Sequence, residues 1–331
     1  EHISLVDEVS LLLIAPATAN MIAKLANGLA DDFLSTFYLA VKCPVLIAPA
    51  MNETMFLHPQ TQENIKKLRS QGVDFVEPES GYLACGKKGP GRLASPERIV
   101  EQSLRLIRSK DIFKNKVVLI TAGPTREFLD PVRFLSNPSS GRMGYELARE
   151  AYQLGAEVIL ISGPVEIEPP SGVYLEKVVT AEEMKQAVLK HYARAQVVVM
   201  TAAVADFRFR DILKDKVKKD QIGKSLEIEK TPDILQELAA SKKHQILIGF
   251  AAETGQIIER ATQKLKQKKL DLMVANDVSQ SEIGFGSQEN EIWLLWPDGR
   301  SKKIPRATKR KLSQQIWAEI EVMLNERGRL D

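Results

Sequence analysis

The stretch from Lys116 to Tyr145, KVVLITAGPTREFLDPVRFLSNPSSGRMGY, has the residue types and order needed to hold a nucleotide or phosphate group. An apolar, β-rich run (Val117–Thr121) breaks into the Gly123-Pro124 turn. A long polar loop follows, carrying Arg126, Arg133 and Asn137, and ends at Ser139-Ser140-Gly141, where an amphipathic helix is expected to start. Such a layout delivers the chain to the carboxyl edge of a sheet, lets small residues bring backbone N–H groups close, and aims the positive end of a helix at an anion. Lys264 and Lys268, four residues apart on a helical stretch, direct two ammonium groups to one face and suit a phosphate chain. Asp206 closes the small-residue apolar run Val197–Ala205, again at a strand's carboxyl end. Plainer readings stand beside these. Lys264, Lys266, Lys268 and Lys269 crowd one polar helix face that solvation alone explains, the Lys216–Lys219 run reads as charged surface loop, and Asp206 suits a helix cap.

The elements that must position these groups follow from hydrophobic periodicity. Strand-like runs alternate with helical stretches throughout, the pattern of parallel sheets with helices on both faces. In the first part, strands are expected near Ser10–Pro16, Pro44–Ala48 and Asp74–Glu77, with helices near Ala19–Ala26, Asp31–Val41, Gln60–Gln71 and Pro96–Ile107. In the second, strands are expected near Val117–Thr121, Glu157–Ser162, Tyr174–Val179, Gln196–Thr201, Gln245–Phe250 and Asp271–Asn276. Its helices fall near Ser140–Leu154, Ala181–Ala193, Pro232–Ala240, Gly255–Lys268 and Arg306–Asn325. Asn290–Pro297, followed by Asp298-Gly299, reads as part of a late hairpin. The expected fold class is α/β, with two doubly wound Rossmann-like domains at 1–111 and 112–331 and the boundary in the charged connector Arg108–Asn115.

Composition narrows the function classes. The chain has 331 residues, 44% of them hydrophobic and 27% charged, in the range of folded globular domains. A net charge of +3 with interspersed signs gives no reason to expect a nucleic-acid partner. The longest apolar runs fall short of the ~20 residues a membrane helix needs, and no signal-peptide pattern opens the chain. Two cysteines, Cys43 and Cys85, make no disulfide framework and point to a reducing, cytoplasmic setting, with Cys43 in an apolar run expected to be core. The chain opens at Glu1-His2 without a methionine, which reads as a fragment or a processed form.

The Lys116–Tyr145 string, together with Ala202-Ala203-Val204-Ala205-Asp206, Lys216-Val217-Lys218-Lys219, Pro232-Asp233-Ile234-Leu235, Gly249-Phe250-Ala251-Ala252-Glu253-Thr254, and Lys264-Leu265 with Lys268 before Asp271, resembles the phosphopantothenate–cysteine ligase half of the bifunctional coenzyme A biosynthesis proteins. The motifs occur in the family's order, and the resemblance spans essentially the whole chain. It implies transfer of CMP from CTP to the carboxylate of 4′-phosphopantothenate, with loss of pyrophosphate, then attack of the cysteine amine on the acyl-cytidylate. Both steps develop negative charge, so fixed cations, backbone N–H groups and Mg²⁺ are expected rather than a covalent nucleophile. By resemblance, Lys264 and Lys268 contact the triphosphate, and the loop of Lys216 closes over the nucleotide, with Lys216 contacting phosphates and helping the cysteine step. Asn137 turns over the acyl-cytidylate by orienting its carbonyl or the amine, and Arg133 pairs with the phosphate or carboxylate of the acid. Met200, Thr201, Ala202 and Ala203 offer main-chain groups to the cytosine edge. Asp206 contacts the nucleotide through ribose, base or metal, Pro232–Leu235 (Pro232, Asp233, Ile234, Leu235) sets a helix N-terminus near it, and Phe250 packs on the base or in the core. Thr231 stands where the family usually has Asn before the Pro, and Pro138 where it often has a polar residue. Asn276, Phe285 and Asn290 match family positions and are read as structural or dimer-forming.

The first 110 or so residues resemble the later part of the family's flavin-dependent decarboxylase domain, a flavodoxin-like fold. The matching residues are His2-Ile3, Ala15–Asn20, Pro49–Asn52 with Met55, and Ala84-Cys85-Gly86 through Gly91-Arg92. The implied chemistry oxidises the cysteine moiety to a thioaldehyde with FMN, which eases loss of the carboxylate. His2 then suits a base, Asn52 a carboxylate binder, and Cys85 a proton donor or reductant on a closing loop, while Ala15, Thr18 and Asn20 line the flavin. The family's opening strand and Gly-rich phosphate loop precede this region, so FMN binding and decarboxylation by this chain alone are not expected. A homo-oligomer, the ligase part as a dimer, and small-molecule substrates complete the expectation. The competing readings are a non-catalytic flavoprotein-like binding subunit and a Rossmann dehydrogenase. The second lacks its G-x-G-x-x-G, since Thr121–Arg126 reads TAGPTR.

Overall fold

Val45–Pro49 shows why the first sheet forms: it is a continuous apolar run, and all five of its residues are buried, as a parallel strand covered on both faces requires. The computed structural model describes residues 6–82, 88–216, 225–277 and 287–327, which fall into two units, Glu1–Ser109 and Lys110–Asp331. In the first unit the order is β1 (Leu12–Ala17), α1 (Ala19–Asn27), α2 (Phe33–Ala40), β2 (Val45–Pro49), α3 (Glu53–Leu57), α4 (Pro59–Ser70), β3 (Asp74–Phe75), β4 (Glu79–Tyr82), β5 (Lys88–Arg92) and α5 (Pro96–Arg108). Strands β1, β2 and β3 pair in parallel with β2 between the others. Alternate side chains of β2 face opposite sides. Val45 and Ile47 pack with Ile22 and Leu25 of α1 and Ile65 and Leu68 of α4, and Leu46 and Ala48 pack with Ile99 of α5.

The second unit opens with a short helical turn at Asp111–Phe113 and continues with β6 (Val117–Ala122), β7 (Arg126–Phe128), β8 (Phe134–Ser136), α6 (Arg142–Gln153), β9 (Glu157–Ser162), β10 (Tyr174–Lys177), α7 (Ala181–Tyr192), β11 (Val197–Met200), β12 (Phe207–Phe209), β13 (Ile228–Lys230), α8 (Ile234–Ala240), β14 (Ile246–Glu253), α9 (Ile257–Gln267), β15 (Leu272–Asp277), β16 (Glu289–Leu295), β17 (Ser301–Thr308) and α10 (Lys309–Arg327). An eight-stranded sheet in the order β10-β9-β6-β11-β14-β15-β16-β17 is parallel from β10 through β15 and antiparallel at β16 and β17. Val118, Ile120 and Ala122 of β6 face α6 and α10. Leu119, with Ile159, Ile161 and Val198, faces α7, α8 and α9. Trp317 of α10 is fully buried, donates its indole N–H to the Leu147 carbonyl at 3.0 Å and meets Phe113 edge-on at 5.7 Å, locking α10 onto α6. The α/β class with a central, mostly parallel sheet is therefore observed.

Three departures have physical causes. The stretch expected as a loop between Gly123 and Ser139 contains the β7–β8 hairpin, closed by Phe128 against Phe134 at 5.5 Å and by the Arg126 guanidinium 4.7 Å over the Phe134 ring. Three-residue strands are too short to leave a periodic signal. The β12–β13 hairpin escaped notice for the same reason. Ser301–Thr308 forms an edge strand where only Ile304 is buried, so its lysines and Pro305 read as loop, and α10 starts at Lys309 rather than Arg306. Among the described residues no helix is long and apolar enough to cross a membrane.

Candidate functional site

Strand β6 ends at a turn that glycine makes possible. Gly123 takes φ +76°, and α6 begins just after Gly141 at φ +74°. One turn into α6, a Cβ on Gly144 would lie 2.5 Å from the Ala122 Cβ, so only glycine lets the start of α6 settle against the end of β6. The segment after β11 then runs beside this turn. The Ala202 N–H donates to the Thr121 hydroxyl (3.2 Å), the Ala203 N–H to the Gly123 carbonyl (2.9 Å), and the Ala205 N–H to the Thr125 hydroxyl (3.0 Å). Thr231 ties in the next wall, its hydroxyl donating to the Ala205 carbonyl (2.6 Å) and its N–H to the Asp206 carbonyl (3.0 Å).

A cavity of about 640 Å³ opens at this carboxyl edge, within the range of small-molecule sites. Of the residues singled out from sequence, Asn137, Met200, Thr201, Ala202, Ala203, Asp206, Pro232, Asp233, Ile234, Leu235, Phe250, Lys264 and Lys268 line it. Asn137 follows β8. Its amide nitrogen donates to the carbonyls of Ala203 (3.3 Å) and Val204 (3.0 Å). Two acceptors fix the NH₂ half toward them, and Oδ1 has no partner among the described residues. Lys264, in the last turn of α9, reaches the buried Glu253 carboxylate at 2.7 Å. Lys268 is the residue that caps α9, and it grips Asp233 at 2.9 and 3.0 Å. Asp233 is also the cap of α8, accepting from the Gln236 N–H at 3.0 Å. Asp206 is exposed at the rim, and its carboxylate has no partner among the described residues.

The structure places several of the other expected residues away from the cavity or in different surroundings. Arg133 does not line the cavity. Its guanidinium is held by Asp130, with Nε donating at 2.9 Å, because the tight β7–β8 turn puts the pair three residues apart. The Asp130 carboxyl, bonded to that guanidinium and to the Val132 and Arg133 N–H groups, is held far below the usual carboxylate range. Lys216 is exposed and lines no part of the cavity. The N–H groups of Ala202 and Ala203 are already bonded to protein, to the Thr121 hydroxyl and the Gly123 carbonyl. Helix α8 starts at Ile234 and is capped by Asp233, two residues later than the expected start at Pro232. Asn276 and Asn290, read as structural or dimer-forming, border the cavity. Ser139, Ser140, Arg142, Lys230 and Lys309 border it too. Ser139-Ser140-Gly141 stood in the sequence as the loop end. Nothing in the periodicity around Lys309 marked it. Phe285 lies outside the described residues.

In the first unit, β1 and β2 end side by side, with the Ala50 N–H donating to the Ala17 carbonyl at 2.9 Å. Ala15, Thr18 and Asn20 are exposed at this edge around buried Ala17. The Thr18 hydroxyl caps α1 by accepting from Met21 at 3.2 Å. Asn52 caps α3 with Oδ1, accepting from the Thr54 N–H at 2.8 Å. Small and polar groups at a parallel sheet's carboxyl edge suit the rim of a flavin. His2 and Cys85 lie outside the described residues. Among those residues, no group of three or more His, Cys, Asp or Glu side chains gathers to hold a metal.

Comparison with known proteins fits both units. Residues 113–323 match the family described as DNA/pantothenate metabolism flavoprotein C-terminal domain, and residues 1–108 match the Flavoprotein family. The coenzyme A biosynthesis bifunctional protein CoaBC of Bacillus subtilis (strain 168) is 48% identical over 330 residues, 99% of this chain and 81% of that protein. Its counterpart in Escherichia coli (strain K12) is 43% identical over 332 residues, 99% and 82% of the two chains. A crystal structure of the C-terminal domain of a CoaBC protein superposes with a TM-score of 0.57 at 42% identity, covering 66% of this chain and 100% of that one. The DNA/pantothenate metabolism flavoprotein from Streptococcus pneumoniae, at 19% identity and a TM-score of 0.55, shares the fold. The chain belongs to the family of coenzyme A biosynthesis bifunctional proteins, CoaBC.

Proposed function

We propose that the second unit joins 4′-phosphopantothenate to cysteine at the expense of CTP, through an acyl-cytidylate, within a protein whose first unit belongs to an FMN-dependent decarboxylase. The observation that carries this is the single cavity in which Asn137, Lys264 and Lys268, from three separate segments, meet at the carboxyl edge of the sheet. A carboxylate is a poor acyl donor, so its oxygen attacks the α-phosphorus of CTP and pyrophosphate leaves. The cysteine nitrogen then attacks the acyl carbon, and CMP leaves with the former carboxylate oxygen.

The roles follow from the hydrogen bonds. Lys264 and Lys268 already hold carboxylates, which pins their ammonium groups at the cavity wall. A triphosphate entering there meets preoriented cations rather than mobile ones. Asn137 is gripped through its NH₂ half, leaving Oδ1 to accept an N–H of the attacking amine. A divalent ion arrives on the triphosphate, as Mg²⁺ commonly does with few protein ligands, and Asp206 is the cavity carboxylate with no cation partner among the described residues. FMN, when bound, supplies the electron acceptor for decarboxylation. Ala15, Thr18 and Asn20 would line it, and the resemblance assigns Asn52 to the substrate carboxylate. Self-association of the ligase unit is supported by the exposed Val132, Phe134, Leu135, Phe207 and Ile228 on and beside the two hairpins, and the two-cysteine composition supports a cytoplasmic setting.

The test is to incubate the chain with 4′-phosphopantothenate, cysteine, Mg²⁺ and either CTP or ATP, and to follow pyrophosphate and the amide product. Turnover favouring CTP is expected. No turnover with either nucleotide contradicts the reading.

A further inference from the structure

The Lys309 side chain is largely buried, and its ammonium, which still meets open space, has no counter-charge. The residue opens α10 and is only 8% exposed, yet its ammonium has neither a hydrogen-bond acceptor nor a carboxylate partner among the described residues. The charge that acts on it is another cation, Arg142, the first residue of α6. Burial, and then that guanidinium, push the Lys309 ammonium pKa down. Arg142 also lacks an anionic partner among the described residues. This differs from the cavity's other two lysines of interest, Lys264 and Lys268, which are each satisfied by a carboxylate. Lysines with side chains this little exposed are usually paired with an anion, because even partial desolvation of the ammonium is costly.

Both residues border the cavity that holds Asn137, and both also border a second cavity of about 470 Å³. The two spaces therefore share this cationic wall. Helix α6, twelve residues long, begins at Arg142 and adds the positive end of its dipole. Two cations without carboxylates, beside a helix N-terminus, make a place for a multiply charged anion. The proposed reaction brings two such anions. CTP is accounted for at Lys264 and Lys268. The acid substrate must bring its carboxylate to Asn137 while its phosphate, at the far end of the molecule, needs fixed charge of its own.

We propose that Lys309, together with Arg142, seats the non-reacting phosphate of the acid substrate and makes the ligase reject the unphosphorylated acid. The inference rests on the proposed function above. A free hydroxyl in place of the phosphate gives Lys309 and Arg142 no anion to pair with, so the discrimination comes from the charge-assisted contacts that the phosphate alone can make. Binding a remote, unreactive group in this way also fixes the register of the carboxylate beside Asn137.

The experiment compares the full chain with Lys309→Met, Lys309→Arg and Arg142→Gln. Lys309→Met is expected to raise KM for 4′-phosphopantothenate by ~10–100-fold, the value of a charge-assisted bond, with KM for CTP essentially unchanged. The kcat/KM preference for 4′-phosphopantothenate over pantothenate should shrink by a similar factor. Lys309→Arg should restore most of both, and Arg142→Gln should show the same selective loss. Without substrates, Lys309→Met should melt no lower than the parent chain, whereas a merely structural lysine would lower it. Inorganic phosphate should raise the melting temperature of the parent chain and not that of Lys309→Met. A rise in KM for CTP instead, or no change for either substrate in Lys309→Met and Arg142→Gln, overturns the proposal. If the parent chain shows no CTP turnover but phosphate protection is lost in Lys309→Met, the functional reading fails while the anion seat stands.

Discussion

Replacing Asn137 with Ala separates its two jobs. The NH₂ group makes bonds of 3.3 and 3.0 Å to the Ala203 and Val204 carbonyls, both in a half-buried setting. A neutral hydrogen bond is worth ~0.5–1.5 kcal/mol net, and solvent reaches these carbonyls once they are freed, so the stability loss should be about 1–2 kcal/mol. In a unit of this size that lowers the melting temperature by roughly 2–8 °C. The catalytic loss should be larger. Removing one preorganised polar group from a reacting centre typically lowers kcat by ~10²–10³, or about 3–4 kcal/mol. The loss should fall on the second step, where Oδ1 meets the amine. A rapid-quench assay therefore shows a burst of pyrophosphate at near-normal rate, an accumulating acyl-cytidylate, and slow amide formation. If the burst falls together with the product, Asn137 is not acting on amine attack and the assignment of Oδ1 is wrong.

Other expectations follow from the same geometry. Lys268→Met should raise KM for CTP ~10-fold by removing one charge-assisted phosphate contact, while its partly exposed pair with Asp233 contributes no more than ~1 kcal/mol to stability; an unchanged KM for CTP would refute the phosphate role. Gly144→Ala forces a methyl to within 2.5 Å of Ala122 and should cost ~1–3 kcal/mol in thermal or denaturant unfolding; a neutral result would mean that the α6–β6 approach is not tight. Asp130, whose folded carboxyl titrates far below its unfolded value because of Arg133, contributes stability that is fully present above about pH 4 and is lost as the pH falls through the lower, folded value. Melting curves of the parent and Asp130→Asn should therefore lie furthest apart above about pH 4 and draw together in stronger acid. A gap that widens on acidification would reverse the sign of this argument.

Much of the frame was legible because burial writes itself into the sequence. The runs at Val117–Ala122, Val197–Met200 and Ile246–Phe250 are continuous and branched because they sit between two layers of helices. Asn137, Lys264 and Lys268 were found by motif resemblance, and the fold brings them to one cavity. What sequence concealed was pairing. Arg133 reads as a free cation until the hairpin turns Asp130 onto it, and the Ala202 and Ala203 N–H groups read as available until the neighbouring turn takes them. Lys309 was hidden for the opposite reason. In a stretch reading KKIPRATKRK one lysine looks like its neighbours, and only the packing of α10 against β16 and β17 singles it out as buried.

The central claim is that the carboxylate is activated by CMP in the cavity that Asn137 and the lysines share. Supplying 4′-phosphopantothenate labelled with ¹⁸O in its carboxylate, with unlabelled CTP, cysteine and Mg²⁺, and weighing the nucleotide and phosphate products tests it most directly. One ¹⁸O atom recovered in CMP for each amide formed is the predicted result, because the carboxylate oxygen leaves on the α-phosphorus. Label appearing in inorganic phosphate or pyrophosphate, with CMP unlabelled, would contradict it.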